Sequence, residues 1–112
     1  MTVIGAKNGT VLIAPVYSVS VPASSVVDVD TVSKSLFSAI DYLMSFSNST
    51  NLRTNRMMIR NNGTTLDDQM YARSGFNFAI GVQSISSGSD FKLRVTNSES
   101  FSVLVKFSKS VI

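Results

Sequence analysis

Cysteine, histidine and tryptophan are all missing from this 112-residue sequence, and the first two absences each close a class of function. Without cysteine there are no disulfides, thiol nucleophiles or thiolate metal sites. Without histidine there is no imidazole general base, and the commonest metal ligand is gone. Triad hydrolysis, zinc hydrolysis and thiol redox chemistry fall away, leaving only carboxylates, hydroxyls, Lys, Arg and Tyr for catalysis. No enzymatic activity, cofactor or metal is expected. Apolar runs are short as well. None approaches the ~20 residues that cross a membrane, and Met1 to Gly9 lacks the basic and apolar regions of a secretory signal. The chain therefore reads as made in a cytoplasm, with no membrane partner.

Charge is scarce. Only 15% of residues are charged, and the polar positions are mostly Ser, Thr and Asn, so a partner can cover them at a smaller desolvation penalty than a charged surface demands. The net charge of +3 comes from ten basic residues scattered between Lys7 and Lys109. A nucleic-acid footprint would need a dense basic stripe interleaved with aromatics, so nucleic acid is not an expected partner.

What is present is alternation. Phe91, Leu93 and Val95 alternate with Lys92, Arg94 and Thr96. After Asn97 to Ser100, Phe101, Val103, Val105 and Phe107 alternate with a mostly polar set. Period two marks half-buried strands, and the two segments read as an antiparallel hairpin. Phe76, Phe78, Ile80 and Val82 form another such run. Val16 to Val21 lies between Pro15 and Pro22, which suits a sheet edge because proline donates nothing to the ladder. Val27 and Val29 oppose Asp28 and Asp30. Between Ser35 and Ser47, Leu36, Ile40, Tyr42, Met44 and Phe46 share one parity; Leu36, Ile40 and Leu43 also fit a helical stripe, but Ser-rich, β-branched and aromatic composition favours a strand. Turn signals at Asn8-Gly9, Asn48 to Asn51, Asn61-Asn62-Gly63, Ser74-Gly75 and Ser86 to Asp90 separate eight or nine short strands. The expected fold is an all-β antiparallel β-sandwich, jelly-roll-like, with no substantial helix. Residues 1–112 read as a single domain, with residues 1–14 either an extended N-terminal arm or hairpin, or a frayed end. Its core should hold Phe78, Ile80, Val82, Phe91, Leu93, Val95, Phe101, Val103 and Val105.

Few groups could carry chemistry. Asp28-Val-Asp30 lacks the glycine and terminal Glu of a calcium loop and reads as an exposed strand face. Asp67 and Asp68 are adjacent, so on a strand they point to opposite sides. Arg53, Arg56 and Arg60 form the densest positive group; they line a solvated strand face or grip a partner's carboxylates through their planar forks.

Several segments resemble a module of bacteriophage virion proteins: Val29 to Tyr42, Leu52-x-Thr54-x-x-Met57, Asn62-Gly-Thr-Thr65, Asp67-Asp68-x-x-Tyr71-Ala72-Arg73-x-Gly75, Phe91-x-Leu93-x-Val95-Thr96-Asn97 and Val103-x-Val105-x-Phe107. The resemblance implies a non-enzymatic structural virion protein, first of all a capsid decoration or cement protein that binds the major capsid protein. It also implies a homo-oligomer, with a trimer the first expectation. A small tail, neck or fibre protein is the alternative within that class, and a carbohydrate-binding β-sandwich module is the alternative outside it, although the chain has no Trp to stack on sugar. The expected partner-binding residues are Val3, Ile4 and Val11, by strand addition to a neighbour's sheet, and Arg53, Arg56 and Arg60.

Overall fold

The structure, a computed structural model, describes residues 15–112. The alternating segments form eight strands: β1 (Tyr17–Val21), β2 (Ser25–Ser33), β3 (Ala39–Ser47), β4 (Leu52–Asn61), β5 (Leu66–Gly75), β6 (Ile80–Ser87), β7 (Asp90–Asn97) and β8 (Val103–Val111). A 3-10 turn, Lys34–Leu36, precedes β3. The strands make two sheets, ordered β1-β8-β3-β4-β5 and β2-β7-β6, and every pairing is antiparallel. Strands β3, β4 and β5 follow one another as neighbours while β8 returns to lie beside β3, which is a Greek-key order. A jelly roll nests its pairs from the outside inward, β1 with β8, β2 with β7 and β3 with β6. The first two pairs are present; β3 instead pairs with β4 and β8.

The sheets close on one apolar core. Ile40, Tyr42, Met44 and Phe46 of β3, Met57 and Ile59 of β4, Phe91, Leu93 and Val95 of β7, and Val103, Val105 and Phe107 of β8 are buried in it. Of the residues expected in the core, Phe78, Phe91, Leu93, Val95, Val103 and Val105 are buried, while Ile80, Val82 and Phe101 pack against its margin. β1 lies at a sheet edge, as the two flanking prolines implied. The strand reading of β3 holds over its helical competitor from Ala39 onward, whereas Leu36, expected on its apolar side, lies in the 3-10 turn and is exposed. The Phe76 to Val82 run begins its strand only at Ile80; Phe78 and Ile80 donate their amides to Phe76 and Phe78 carbonyls two residues back, at 3.1 and 2.9 Å, in γ-turn geometry.

The expected C-terminal hairpin is not formed. β7 and β8 belong to opposite sheets, so the connection between them is an arch and their apolar sides face each other across the core. Asn97 holds the arch: its Nδ2 donates to the carbonyls of Val21, Pro22 and Phe101 at 3.1, 3.1 and 2.9 Å, and its Oδ1 accepts the Glu99 amide at 2.9 Å. A buried amide satisfied this fully secures the crossing, because unpaired polar atoms at that depth are costly.

A second correction concerns Asp28 and Asp30, which do not share an exposed face. The β2–β7 register shifts between them, so Asp28 lies opposite Arg94 and Asp30 opposite Leu93. Such a bulge sends the next side chain to the other face of the sheet. Asp28 accepts from Arg94 Nε and Nη2 at 2.8 and 3.3 Å. Asp30 Oδ2 instead accepts from Tyr42 Oη at 2.7 Å and Lys109 Nζ at 2.9 Å, which ties β2 of one sheet to β3 and β8 of the other.

Gly75 ends β5 at φ 101°, where an added Cβ would collide with the Leu52 carbonyl and lie 3.0 Å from Arg53 Cα. Gly75→Ala is expected to destabilise the fold by more than about 2 kcal/mol in denaturant unfolding, from left-handed strain plus backbone collision; a neutral result would place β5 differently.

Burial, followed by the hydrogen bond to the Asp30 carboxylate, pushes the Tyr42 phenol far above the ordinary tyrosine range. The folded state thus holds that proton more tightly than the unfolded chain, so the contribution is whole below about pH 10 and lost as pH rises further. Denaturant titrations between about pH 8 and 11 should show Tyr42→Phe losing less stability with rising pH than the parent. Parallel curves would mean that Tyr42 is not the linked group.

Candidate interaction surface

Among the described residues, the outer face of the five-stranded sheet has exposed positions on β3, β4, β5 and β8. Its residues come from the strand positions between the buried ones. On β3 these are Asp41, Leu43 and Ser45; on β4 Thr54, Arg56, Met58 and Arg60; on β5 Asp67, Gln69 and Tyr71; on β8 Leu104, Lys106 and Ser108. Strand register places them in rows: Leu43 stands beside Arg56 and Ser108, Asp41 beside Met58, and Met58 beside Gln69.

Two kinds of ground alternate on this face. Apolar side chains lie open on it, with Leu43 47% and Leu104 36% exposed, and a shallow depression bounded by Val16, Leu43, Ser45, Thr54, Lys106 and Ser108 runs between β3, β4 and β8. Toward β5 the face turns polar. Asp41 Oδ1 accepts from Tyr71 Oη at 2.8 Å, and its Oδ2 accepts from Arg56 Nη2 at 3.2 Å. One carboxylate thus links β3, β4 and β5 and fixes the Tyr71 ring at the edge of an open depression of about 490 Å³ that also touches Ala39, Met58, Arg60 and Gln69.

The three arginines do not share a face. Arg56 and Arg60 point outward, and each is already engaged, Arg56 by Asp41 and Arg60 by Asp67. Arg53 points inward and is 1% exposed. Its guanidinium lies 4.8 Å from the centre of the Phe46 ring, and burial, with the nearby Arg73 cation as a lesser cause, lowers its pKa below the ordinary value. A partner cannot reach it. Asp67 and Asp68 do point to opposite sides: Asp67 pairs with Arg60, while Asp68 Oδ2 accepts from Ser84 N and Oγ at 3.1 and 2.6 Å and so joins β5 to β6. Val3, Ile4 and Val11 lie outside the described residues.

Leu43, Met58, Gln69, Tyr71 and Leu104 were not singled out as contact residues from sequence. The available signal was an apolar residue, Leu43 or Leu104, at the outward parity of an alternating strand. Among the described residues no group of His, Cys, Asp or Glu could hold a metal ion, and no helix is long and apolar enough to cross a membrane.

Neither a family model nor a curated protein sequence matches this chain. Solved structures do match its fold. The tailspike protein of Acinetobacter baumannii phage AM24 superimposes with a TM-score of 0.53 at 7% identity, over 84% of this chain and 25% of its own. The tailspike protein of Acinetobacter phage vB_ApiP_P1 gives 0.52 at 12% identity, over 99% of this chain and 24% of its own. The chain therefore spans about a quarter of each tailspike, and what it shares with them is the sandwich fold.

Leu43→Glu and Leu104→Glu should each change stability by less than about 0.5 kcal/mol, as expected for exposed positions away from caps and cores. Thermal unfolding checks this; a large loss would mean that these side chains are packed by the protein itself.

Proposed function

We propose that this chain is a non-catalytic structural module of a phage tail, of the sandwich type found within tailspikes, and that it engages another virion chain through the outer face of its five-stranded sheet. The observation that carries the reading is the fold match to two tailspikes, which extends over 84% and 99% of this chain. Both matches are tail proteins, which favours the tail alternative over capsid decoration. In both, the sandwich is one part of a much longer chain, so the fold is compatible with close neighbours on its surface. The composition supports the reading: Ser, Thr, Leu and Met lie on this face, and Asp41 with Arg56 and Asp67 with Arg60 are paired there, with Lys106 the charge outside these pairs, so removing water costs less than from a freely charged face.

The available groups support the structural rather than the catalytic reading. The carboxylates of Asp28, Asp30, Asp41 and Asp67 are each committed to a cation of the same chain. A homotrimer, expected from the virion resemblance, is retained in the proposal as the assembled state.

Immunogold labelling of particles from the phage that encodes the chain tests the assignment, with gold expected at the tail; gold distributed over the capsid would restore the decoration reading. Light scattering on the purified chain tests the assembly. The parent should form trimers that a Leu43→Glu, Leu104→Glu double variant loses while still folding, whereas a parent that stays monomeric at high concentration would remove the trimer from the proposal.

A further inference from the structure

The inward turn of Arg53 leaves a charge that the chain does not balance. Its Nη1 donates to the Ile80 carbonyl at 3.4 Å, and its Nη2 meets Asn55 Oδ1 at 3.2 Å and Met70 Sδ at 3.4 Å. All three acceptors are neutral. Among the described residues Arg53 Nε has no acceptor, and neither does Nδ2 of Asn55, the next inward residue of β4, which is also 1% exposed. Two buried N–H groups on neighbouring inward positions of one strand are therefore unmet.

No carboxylate of the protein can serve them. The sequence has seven acidic residues, all beyond residue 27. The four ion pairs among the described residues join Asp28, Asp30, Asp41 and Asp67 to other cations. Asp68 is held by Ser84 and Glu99 by the Ala79 amide, and Asp90 lies at the far end of β7, paired with Ser33 and Ser87. The Phe46 ring beneath the guanidinium offsets part of the charge, while the Arg73 cation on β5 adds to it. A guanidinium does not solve the problem by losing its proton, and a buried ion without a counter-ion is strongly unfavourable.

We propose that Arg53 and Asn55 form an internal binding site for a small monovalent inorganic anion of the halide class, which accepts from Arg53 Nε and Asn55 Nδ2 and neutralises the guanidinium. Neutral acceptors satisfy donors but leave the charge. The ligand must be small because both side chains are almost completely enclosed, and singly charged because one buried cation, Arg53, is unbalanced. The anion stabilises the fold by binding the native state alone. It also lies where β4 approaches β6, the place at which the larger sheet extends beyond the apolar core.

The test is thermal unfolding of the full chain at constant pH and ionic strength while sodium gluconate is replaced stepwise by sodium chloride or bromide. Gluconate is too large for the site and, as a strongly hydrated organic anion, is expected to favour burial by exclusion from the protein surface, so a general salt effect runs opposite to the one expected here. The melting temperature should rise with chloride and bromide along a saturating curve. Arg53→Met should remove that dependence and be no less stable than the parent in gluconate, since an apolar side chain there leaves no charge uncompensated. Asn55→Leu keeps the charge but loses a donor, and should raise the half-saturating chloride concentration about tenfold. A bromide-soaked crystal of the parent should show an anomalous peak within hydrogen-bonding reach of Arg53 Nε. The proposal is overturned if the parent melts alike in all three salts, if Arg53→Met keeps the same chloride curve, or if the soaked crystal has no peak there.

Discussion

The fold depends on β7 and β8 standing in opposite sheets around one shared core. The two segments are adjacent in sequence, and each has one apolar side: Phe91, Leu93 and Val95 on one, Val103, Val105 and Phe107 on the other, all buried. Paired edge to edge in one sheet, both apolar sides would point the same way and need a separate cover. Sent to opposite sheets, each side covers the other, and about 25 cal/mol is gained for every Å² of apolar surface taken from water. Asn97 makes the crossing tolerable by satisfying three carbonyls at the arch. β8 then seats β1 and β3, while β7 seats β2 and β6.

The unequal sheets follow from the same contact. With β7 central to a three-stranded sheet, the smaller sheet cannot cover all five strands opposite, and the inner face changes character where cover runs out. Under β7 it presents Ile40, Tyr42, Met44 and Phe46; on β4, in the region nearer β6, it presents Arg53 and Asn55. Polar ties take over from apolar packing there, with Asp68 bonding Ser84 and Arg53 reaching the Ile80 carbonyl. At another inter-sheet point the bulge in β2 turns Asp30 inward to Tyr42 and Lys109. The sandwich is thus joined by a hydrophobic centre and by polar ties outside it.

Much of this was legible in the chain. Period-two alternation located most of the strands and the principal core residues because it reports which residues share a face. It does not report which sheet a strand joins. An arch and a hairpin have the same alternation, so the crossing of β7 to β8 was invisible. The bulge at Asp28 and Asp30 was hidden for a related reason, since it is defined by the register of β7 and not by β2 alone. Arg53 was read as an outward contact residue because charged side chains are almost always outside unless paired, whereas it is buried without an ionic partner among the described residues. The outer face left a weaker trace: Leu43 and Leu104 occupy outward positions of otherwise amphipathic strands, a signal that single exposed leucines rarely justify using.

The identities of 7% and 12% to tailspikes of the same fold have a physical reading. A sandwich requires alternation, turns at workable intervals and a few fixed crossings, and many side-chain sets meet those terms. The face turned away from the core is under no such constraint. In this chain that face has apolar residues on β3 and β8 and a carboxylate, a guanidinium and a phenol locked together across β3, β4 and β5. Pairing Asp41 with Arg56 and Asp67 with Arg60 weakens the long-range field that would steer a partner by charge, leaving Lys106 outside those pairs. In the proposed role, recognition on such a face would rest mainly on shape and short-range contact, which suits a neighbour held in place by a larger assembly better than one captured from dilute solution.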